Sequence, residues 1–266
     1  MGSAATETVG ASPVKRPLIL LSNDDGYRSS GIEAFRQALE PHADVVICAP
    51  EVEQSAASHA LSLHRPLRLF RHSERVFSVD GTPADCVYVA LYGGDDRVLP
   101  RKPDLVLSGV NHGVNLGDDV FYSGTVAAAR EGALKGIPSM AVSAALNADF
   151  ARAAELAARL ALGLHAEKGG PVLLNVNIPA GRDWALRATR LGRRIYRDEV
   201  EFRRDPRGRE YLWIGGPGAS HEAVAGSDTE AFDDGVVGIT PLVLDLWHRS
   251  AQERAEQLAA NVGPAR

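Results

Sequence analysis

The chain has 266 residues, with 29 Lys and Arg against 34 Asp and Glu, a formal net charge of −5. Apolar residues make up 45% and charged residues 24%, which excludes a wholly disordered chain and supplies a sizeable core. The acidic balance argues against nucleic-acid binding through long-range charge, and two cysteines are too few for a disulfide framework or a four-thiolate zinc site.

Residues 1–16 lack the apolar run of a signal peptide and read as a flexible tail. No stretch approaches the roughly 20 apolar residues of a membrane-spanning helix. Cys48 and Cys86 sit in apolar runs and read as buried free thiols, which fits a cytoplasmic protein. Residues 18–21 predict a buried strand, broken at Ser22-Asn23-Asp24-Asp25-Gly26. Ser30, with Glu33 three residues on, predicts a capping box for a helix carrying Ile32, Phe35 and Leu39 on one face. Residues 45–49 predict the next strand, closed by Pro50 and followed by a long polar loop through Ser55 and Ser58. Short strands follow at 67–70 and 76–79, and Thr82-Pro83-Ala84-Asp85 is a strong helix start.

Residues 104–109 predict a third buried strand, and 110–122 a Gly/Asn-rich loop. Ser123 or Thr125 opens a helix of small residues that ends at Gly136. A strand over 137–143, a helix over 149–165 and a strand over 172–178 complete the alternation. The pattern predicts an α/β fold over 17–185, a Rossmann-like, doubly wound and mostly parallel sheet with its ligand site at the carboxyl ends of the strands. Residues 186–266 read as a C-terminal segment packed on that core. It holds an extended hairpin (195–202 and 210–214 around a charged tip), a polar segment at 227–234, a returning strand at 236–240 and a helix at 250–261.

Three clusters carry chemistry. Asp24 and Asp25 are adjacent carboxylates that repel unless a cation or proton intervenes, and paired hard oxygens at a strand end suit a divalent ion. Asn111-His112-Gly113-Val114-Asn115 offers neutral amide oxygens and donors on backbone that a ligand can approach closely. Ser123-Gly124-Thr125 opens a helix whose unpaired N–H groups and dipole favour a phosphate. A solvated turn, a surface loop and a simple N-cap are the plainer readings of the same residues. Walker A, Gly-x-Gly-x-x-Gly, His-Glu-x-x-His and Gly-x-Ser-x-Gly patterns are absent from the sequence. His59, His64 and His112 read as hydrogen-bonding or surface histidines.

Taken in order, several segments resemble the survival protein E (SurE) family of metal-dependent phosphatases and nucleotidases. They are Leu21-Ser22-Asn23-Asp24-Asp25-Gly26, Ala49-Pro50 with Gln54-Ser55, Gly81-Thr82-Pro83-Ala84-Asp85-Cys86, and Ser108 through Gly117. Tyr122-Ser123-Gly124-Thr125, Asn175-Val176-Asn177-Ile178-Pro179, Gly226-Ser227-Asp228-Thr229 and Ile239-Thr240-Pro241-Leu242 follow. The resemblance implies hydrolysis of nucleoside 5′- or 3′-monophosphates and leaves short polyphosphate open as a further substrate. It implies one divalent ion per subunit, Mg²⁺ or Mn²⁺, held by Asp24, Asp25, Ser55 and Asn111, with Asp24 or Asp25 taking the proton of the attacking water. Asn115, Ser123, Gly124 and Thr125 would hold the phosphate. It also implies that the C-terminal extended segments exchange between subunits of a homodimer or homotetramer. Glu53, Ala56 and Glu230 depart from the family's usual Asn, Gly and Asp. A haloacid-dehalogenase-like phosphatase is disfavoured because Asp24-Asp25-Gly26 lacks the Asp-x-Asp spacing. A non-catalytic nucleotide-binding module would differ by holding nucleotide without turnover.

Overall fold

In β1 (Leu18–Ser22), Leu18 and Leu20 enter one apolar cluster while Ile19 and Leu21 enter another, so the strand is buried on both faces. That is the signature of a central parallel strand covered by helices on each side. The computed structural model describes residues 16–94, 96–167, 169–196, 200–214 and 219–262. All of the tail expected over 1–16 except Arg16 lies outside the described residues.

The chain continues through α1 (Ser30–Leu39), β2 (Asp44–Pro50), β3 (Leu69–Arg71), β4 (Val76–Val79), α2 (Pro83–Tyr92) and β5 (Leu105–His112). A 3₁₀ turn (Gly117–Phe121) leads into α3 (Gly124–Leu134), β6 (Ser139–Ala144), α4 (Phe150–Ala166) and β7 (Leu173–Ile178). Then come β8 (Leu186–Ala188), β9 (Arg194–Tyr196), β10 (Val200–Arg204), β11 (Glu210–Ile214), β12 (Ala219–His221), α5 (Asp228–Asp233), β13 (Val237–Leu242) and α6 (Gln252–Val262).

The main sheet has nine strands in the order β3-β4-β2-β1-β5-β6-β7-β13-β8. The run from β4 to β7 is parallel, while β3 and β13 are antiparallel to their neighbours β4 and β7. Helices α1 and α4 cover one face through Ile32, Phe35, Leu39, Ala154 and Ala157, and α2 and α3 cover the other. The chain winds outward in both directions from the β1–β5 pair. The carboxyl ends of those two strands therefore flank a topological switch point, the usual crevice for a ligand in such sheets.

Close packing fixes the helices around that crevice. A Cβ on Gly31 would stand 1.9 Å from the Val110 carbonyl oxygen, and one on Gly132 would stand 2.5 Å from Val106 Cβ. The small residues of α3 thus let it lie against β5 and bring its first turn to the end of β1.

Three expectations change. The cap of α1 is Ser29, not Ser30: Ser29 is extended and its hydroxyl accepts the Ile32 N–H, while Glu33 pairs with Arg36 instead of closing a capping box. Asn111 and His112 belong to β5 rather than to a loop, reached through an irregularity in register between Ser108 and Asn111. The arm expected over 195–202 divides, because β9 pairs with β12 and β10 pairs with β11. The short strand β8 has no sequence signal strong enough to predict it. Its Leu186 and Ala188 are exposed, and only pairing with β13 defines it.

Candidate active site

Asp24 and Asp25 follow β1 directly. Asn23 shapes the turn, donating from Nδ2 to the Gly26 carbonyl at 2.9 Å and to Ser29 Oγ at 2.8 Å. Gly26 holds φ +93°, which a side chain would strain. Asp24 is buried, and burial pushes its carboxyl up to about 6, with Asp25 adding repulsion against hydrogen bonds from Thr125. Thr125, itself fully buried, donates its hydroxyl to Asp24 Oδ1. A Cβ on Gly124 would lie 2.8 Å from Asp24 Cβ and 3.0 Å from Oδ2, so only glycine lets the helix start this close.

Asp25 faces β5. The His112 backbone N–H donates to its Oδ2 at 3.3 Å, and His112 Nδ1 lies 3.4 Å from the same oxygen. The ring is held by Ser30 Oγ at 3.1 Å from Nε2 and by a tilted contact with the Phe150 ring, centroids 4.4 Å apart. Asn111 commits its Nδ2 to the Gly113 carbonyl at 2.8 Å, which leaves its amide oxygen as the free end.

Ser55 arrives on the loop after β2. The Gln54 N–H donates to the Asp24 carbonyl at 2.8 Å and ties that loop to the first turn, and Ser55 Oγ donates to Glu53 at 2.8 Å. The loop is also pinned to the third cluster, since Ser58 donates through its N–H to the Tyr122 carbonyl and through Oγ to the Phe121 carbonyl. His59 reaches the buried Glu131 of α3 at 3.0 Å, so it is a structural hydrogen-bonding histidine.

Asn115 is nearly buried. Its N–H donates to Asn177 Oδ1 at 2.8 Å, its carbonyl accepts from Asn175 and Asn177, and its Nδ2 donates to Ser143 at 2.8 Å. Ser123 caps α3 by accepting the Val126 N–H. The Thr125 hydroxyl is turned to Asp24, so its donor capacity serves the carboxylate rather than facing solvent.

The structure therefore brings Asp24, Asp25, Gly124 and Thr125 together, with Asn111 beside Asp25 through its neighbour His112. Ser55 is joined to them through the backbone bond from Gln54, Ser123 caps α3 one residue before Gly124, and Asn115 is held apart from them by Ser143 of β6 and Asn175 and Asn177 of β7. Reasoning from the sequence alone left Asn175, Asn177 and Asp228 without roles. Asp228 is buried and accepts N–H bonds from Gly117 at 2.9 Å and Gly192 at 2.7 Å, tying the third cluster to the C-terminal segment. Two amides at i and i+2 in an otherwise apolar strand were a readable signal: they place Asn175 and Asn177 on one face of β7.

The donor set suits a hard divalent cation. Asp24 is a desolvated carboxylate beside a second one, and the amide oxygen of Asn111 and the hydroxyl of Ser55 add neutral oxygens. Among the described residues no group of three or more His, Cys, Asp or Glu forms a metal cluster, so a cation here relies on those neutral donors.

Fold and site together define a doubly wound α/β protein whose paired carboxylates at a switch point face the first turn of a helix. The family model for survival protein SurE matches residues 19–198. The chain is 62% identical over 256 residues to a protein of Sorangium cellulosum named 5′-nucleotidase SurE, covering 94% of this chain and 99% of that one. It is 51% identical over 233 residues to a protein of the same name from Myxococcus xanthus, covering 86% and 88% of the two chains. The crystal structure of the SurE protein from Aquifex aeolicus superposes with a TM-score of 0.78 at 40% identity, covering 91% of this chain and 99% of that one. The chain belongs to the SurE family.

Proposed function

We propose that this protein is a divalent-metal-dependent phosphomonoesterase that hydrolyses nucleoside monophosphates. The observation that carries the reading is the meeting of Asp24 with the first turn of α3. A cation-binding carboxylate there abuts a helix start suited to phosphate, at the switch point of the sheet. The names of the relatives from Sorangium cellulosum and Myxococcus xanthus support the same reaction.

Asp24, Asp25, Ser55 and Asn111 would hold one Mg²⁺ or Mn²⁺, which when bound supplies Lewis-acid stabilisation of the phosphoryl oxygens. Asn115, Ser123, Gly124 and Thr125 position the phosphate, and the helix dipole opposes its developing charge. Asp25, the more accessible of the two carboxylates, accepts the proton of the attacking water. His112 orients Asp25 through both its backbone N–H and its ring. Glycine at 124 keeps Asp24 and the phosphate donors within one constellation.

The protein also acts as an oligomer on this reading. Paired residues of the β10–β11 hairpin share a face, so Val200, Ile214, Phe202 and Leu212 form one apolar side, all exposed. An isolated two-stranded hairpin is marginal in water, and a second copy of the chain supplies the missing cover. Unpaired buried cysteines fit a cytoplasmic location. Among the described residues no helix is long and apolar enough to cross a membrane. The test is release of phosphate from nucleoside monophosphates with and without divalent ions; binding without turnover would instead make it a nucleotide-binding module.

A further inference from the structure

Of the residues proposed to hold the cation, only Ser55 is exposed, on the long loop that leaves β2. The backbone beside it is strained. Ala56 and Ser58 hold φ +58° and +54°, left-handed conformations that residues with a Cβ rarely adopt. Among the described residues, Asp96 is the only other non-glycine residue with positive φ. Backbone of this kind persists only where its surroundings impose it.

The imposing contacts come from the first turn of the chain, from α3 and from the residues just before α3. On one side of Ser55, the Gln54 N–H donates to the Asp24 carbonyl at 2.8 Å. On the other side, Ser58 bonds the carbonyls of Phe121 and Tyr122, and His59 Nε2 lies 3.0 Å from Glu131 Oε2. Glu131 is only 3% exposed and lies on α3 about 9 Å beyond Thr125, the residue that holds Asp24. Lys135 Nζ stands 3.4 Å from the other Glu131 oxygen, so the buried carboxylate keeps a cationic partner without His59. The His59 bond is therefore not needed to compensate Glu131, and what it fixes is the loop. A bond to a carboxylate is stronger than one to a carbonyl, which makes it a firmer tie than the two bonds from Ser58.

We infer that Glu131 and His59 are positioning residues for Ser55: their bond clamps the strained segment 56–58 in the shape that presents the Ser55 hydroxyl to the carboxylate pair. One helix thereby sets two ligands, Asp24 through Thr125 and Ser55 through Glu131. The inference rests on the divalent-cation reading and adds two residues to it, neither of which touches the cation or the substrate.

The test combines His59→Ala with Ala56→Gly, since glycine adopts left-handed backbone without strain. By calorimetry, Mn²⁺ affinity is expected to fall about tenfold in His59→Ala, to change less than about threefold in Ala56→Gly, and to return to within about threefold of wild type in the double variant. In chelator, amide exchange at Ser58, whose N–H bonds the Tyr122 carbonyl, should quicken in His59→Ala and slow again in the double variant. A histidine that served stability alone would show no rescue by glycine. Unchanged Mn²⁺ affinity in His59→Ala, unchanged exchange at Ser58, or no recovery on adding Ala56→Gly overturns the clamp while leaving the cation reading intact. A wild-type protein that binds no Mn²⁺ defeats the cation reading itself, and this assignment with it.

Discussion

Thr125 donates its hydroxyl to Asp24 across 101 residues of chain, locking the end of the first strand to the first turn of α3. Both side chains are buried, so the carboxylate proposed to bind a cation is held dry and oriented. Its elevated pKa, about 6 against an ordinary 3.8, follows from that burial.

That elevation has a signed consequence for stability. In metal-free protein the native carboxyl keeps its proton up to about pH 6, the unfolded one only to 3.8, so the native state binds more protons in between. Stability therefore falls as pH rises through that window and stays lower above it, by about 3 kcal/mol. Asp24→Asn removes the charge and keeps an acceptor for Thr125. Denaturant unfolding in chelator should find the variant more stable than wild type at pH 8, with the gap closing near pH 4. A gap independent of pH would contradict the assigned cause.

Metal binding should reverse the same penalty. Mg²⁺ or Mn²⁺ is expected to raise the melting temperature of the wild type at pH 8, and less at pH 5, where protons compete for Asp24. At a hundredfold excess over Kd the stabilisation is about 2.7 kcal/mol. The Asp24→Asn protein should gain little at either pH, as thermal scans at matched ionic strength will show.

Gly124→Ala tests the closeness of helix and carboxylate. The added methyl would sit 2.8 Å from Asp24 Cβ, so the first turn of α3 must move. A displacement of that kind costs on the order of a hundredfold in kcat. Circular dichroism should still show the helix, while the melting temperature falls, since overpacking of this kind costs about 1–3 kcal/mol.

Asp228→Asn should weaken the link between the third cluster and the C-terminal segment. Both carboxylate oxygens accept backbone N–H bonds, and an amide turns one acceptor into a donor facing a donor. The expected cost is about 1–3 kcal/mol in stability, with a raised KM as Gly117 shifts. Unfolding curves and steady-state kinetics on the same preparation check both parts.

On the proposed reading, subunits associate through the apolar side of the hairpin. Phe202→Ser with Leu212→Ser should leave a monomer by light scattering, because the pair forms the middle of that face. An unchanged mass would place the interface elsewhere.

The doubly wound core was legible because its strands are continuous apolar runs ended by Gly, Pro or Asp, as in residues 18–26 and 45–50. The carboxylate pair and the α3 start were legible for a related reason: two charges and a run of small residues are unusual at such places. Ser55 became a candidate only by family resemblance, since a loop serine has no local signature. Asp228 had no assigned role because its partners lie 111 and 36 residues away and are backbone groups. The divided hairpin arm was missed because β9 and β10 are contiguous in pattern and distinguished only by the partners they pair with.

On the proposed mechanism, a divalent ion at Asp24 is required for phosphate release. The direct measurement is turnover of adenosine 5′-monophosphate by wild type and Asp24→Asn, in chelator and then with Mg²⁺ or Mn²⁺ restored. Chelated wild type is expected to be inactive and to recover with metal, while Asp24→Asn stays at least about a hundredfold below the metal-restored wild type under both conditions. Turnover that survives chelation, or an Asp24→Asn protein as active as wild type, would contradict it.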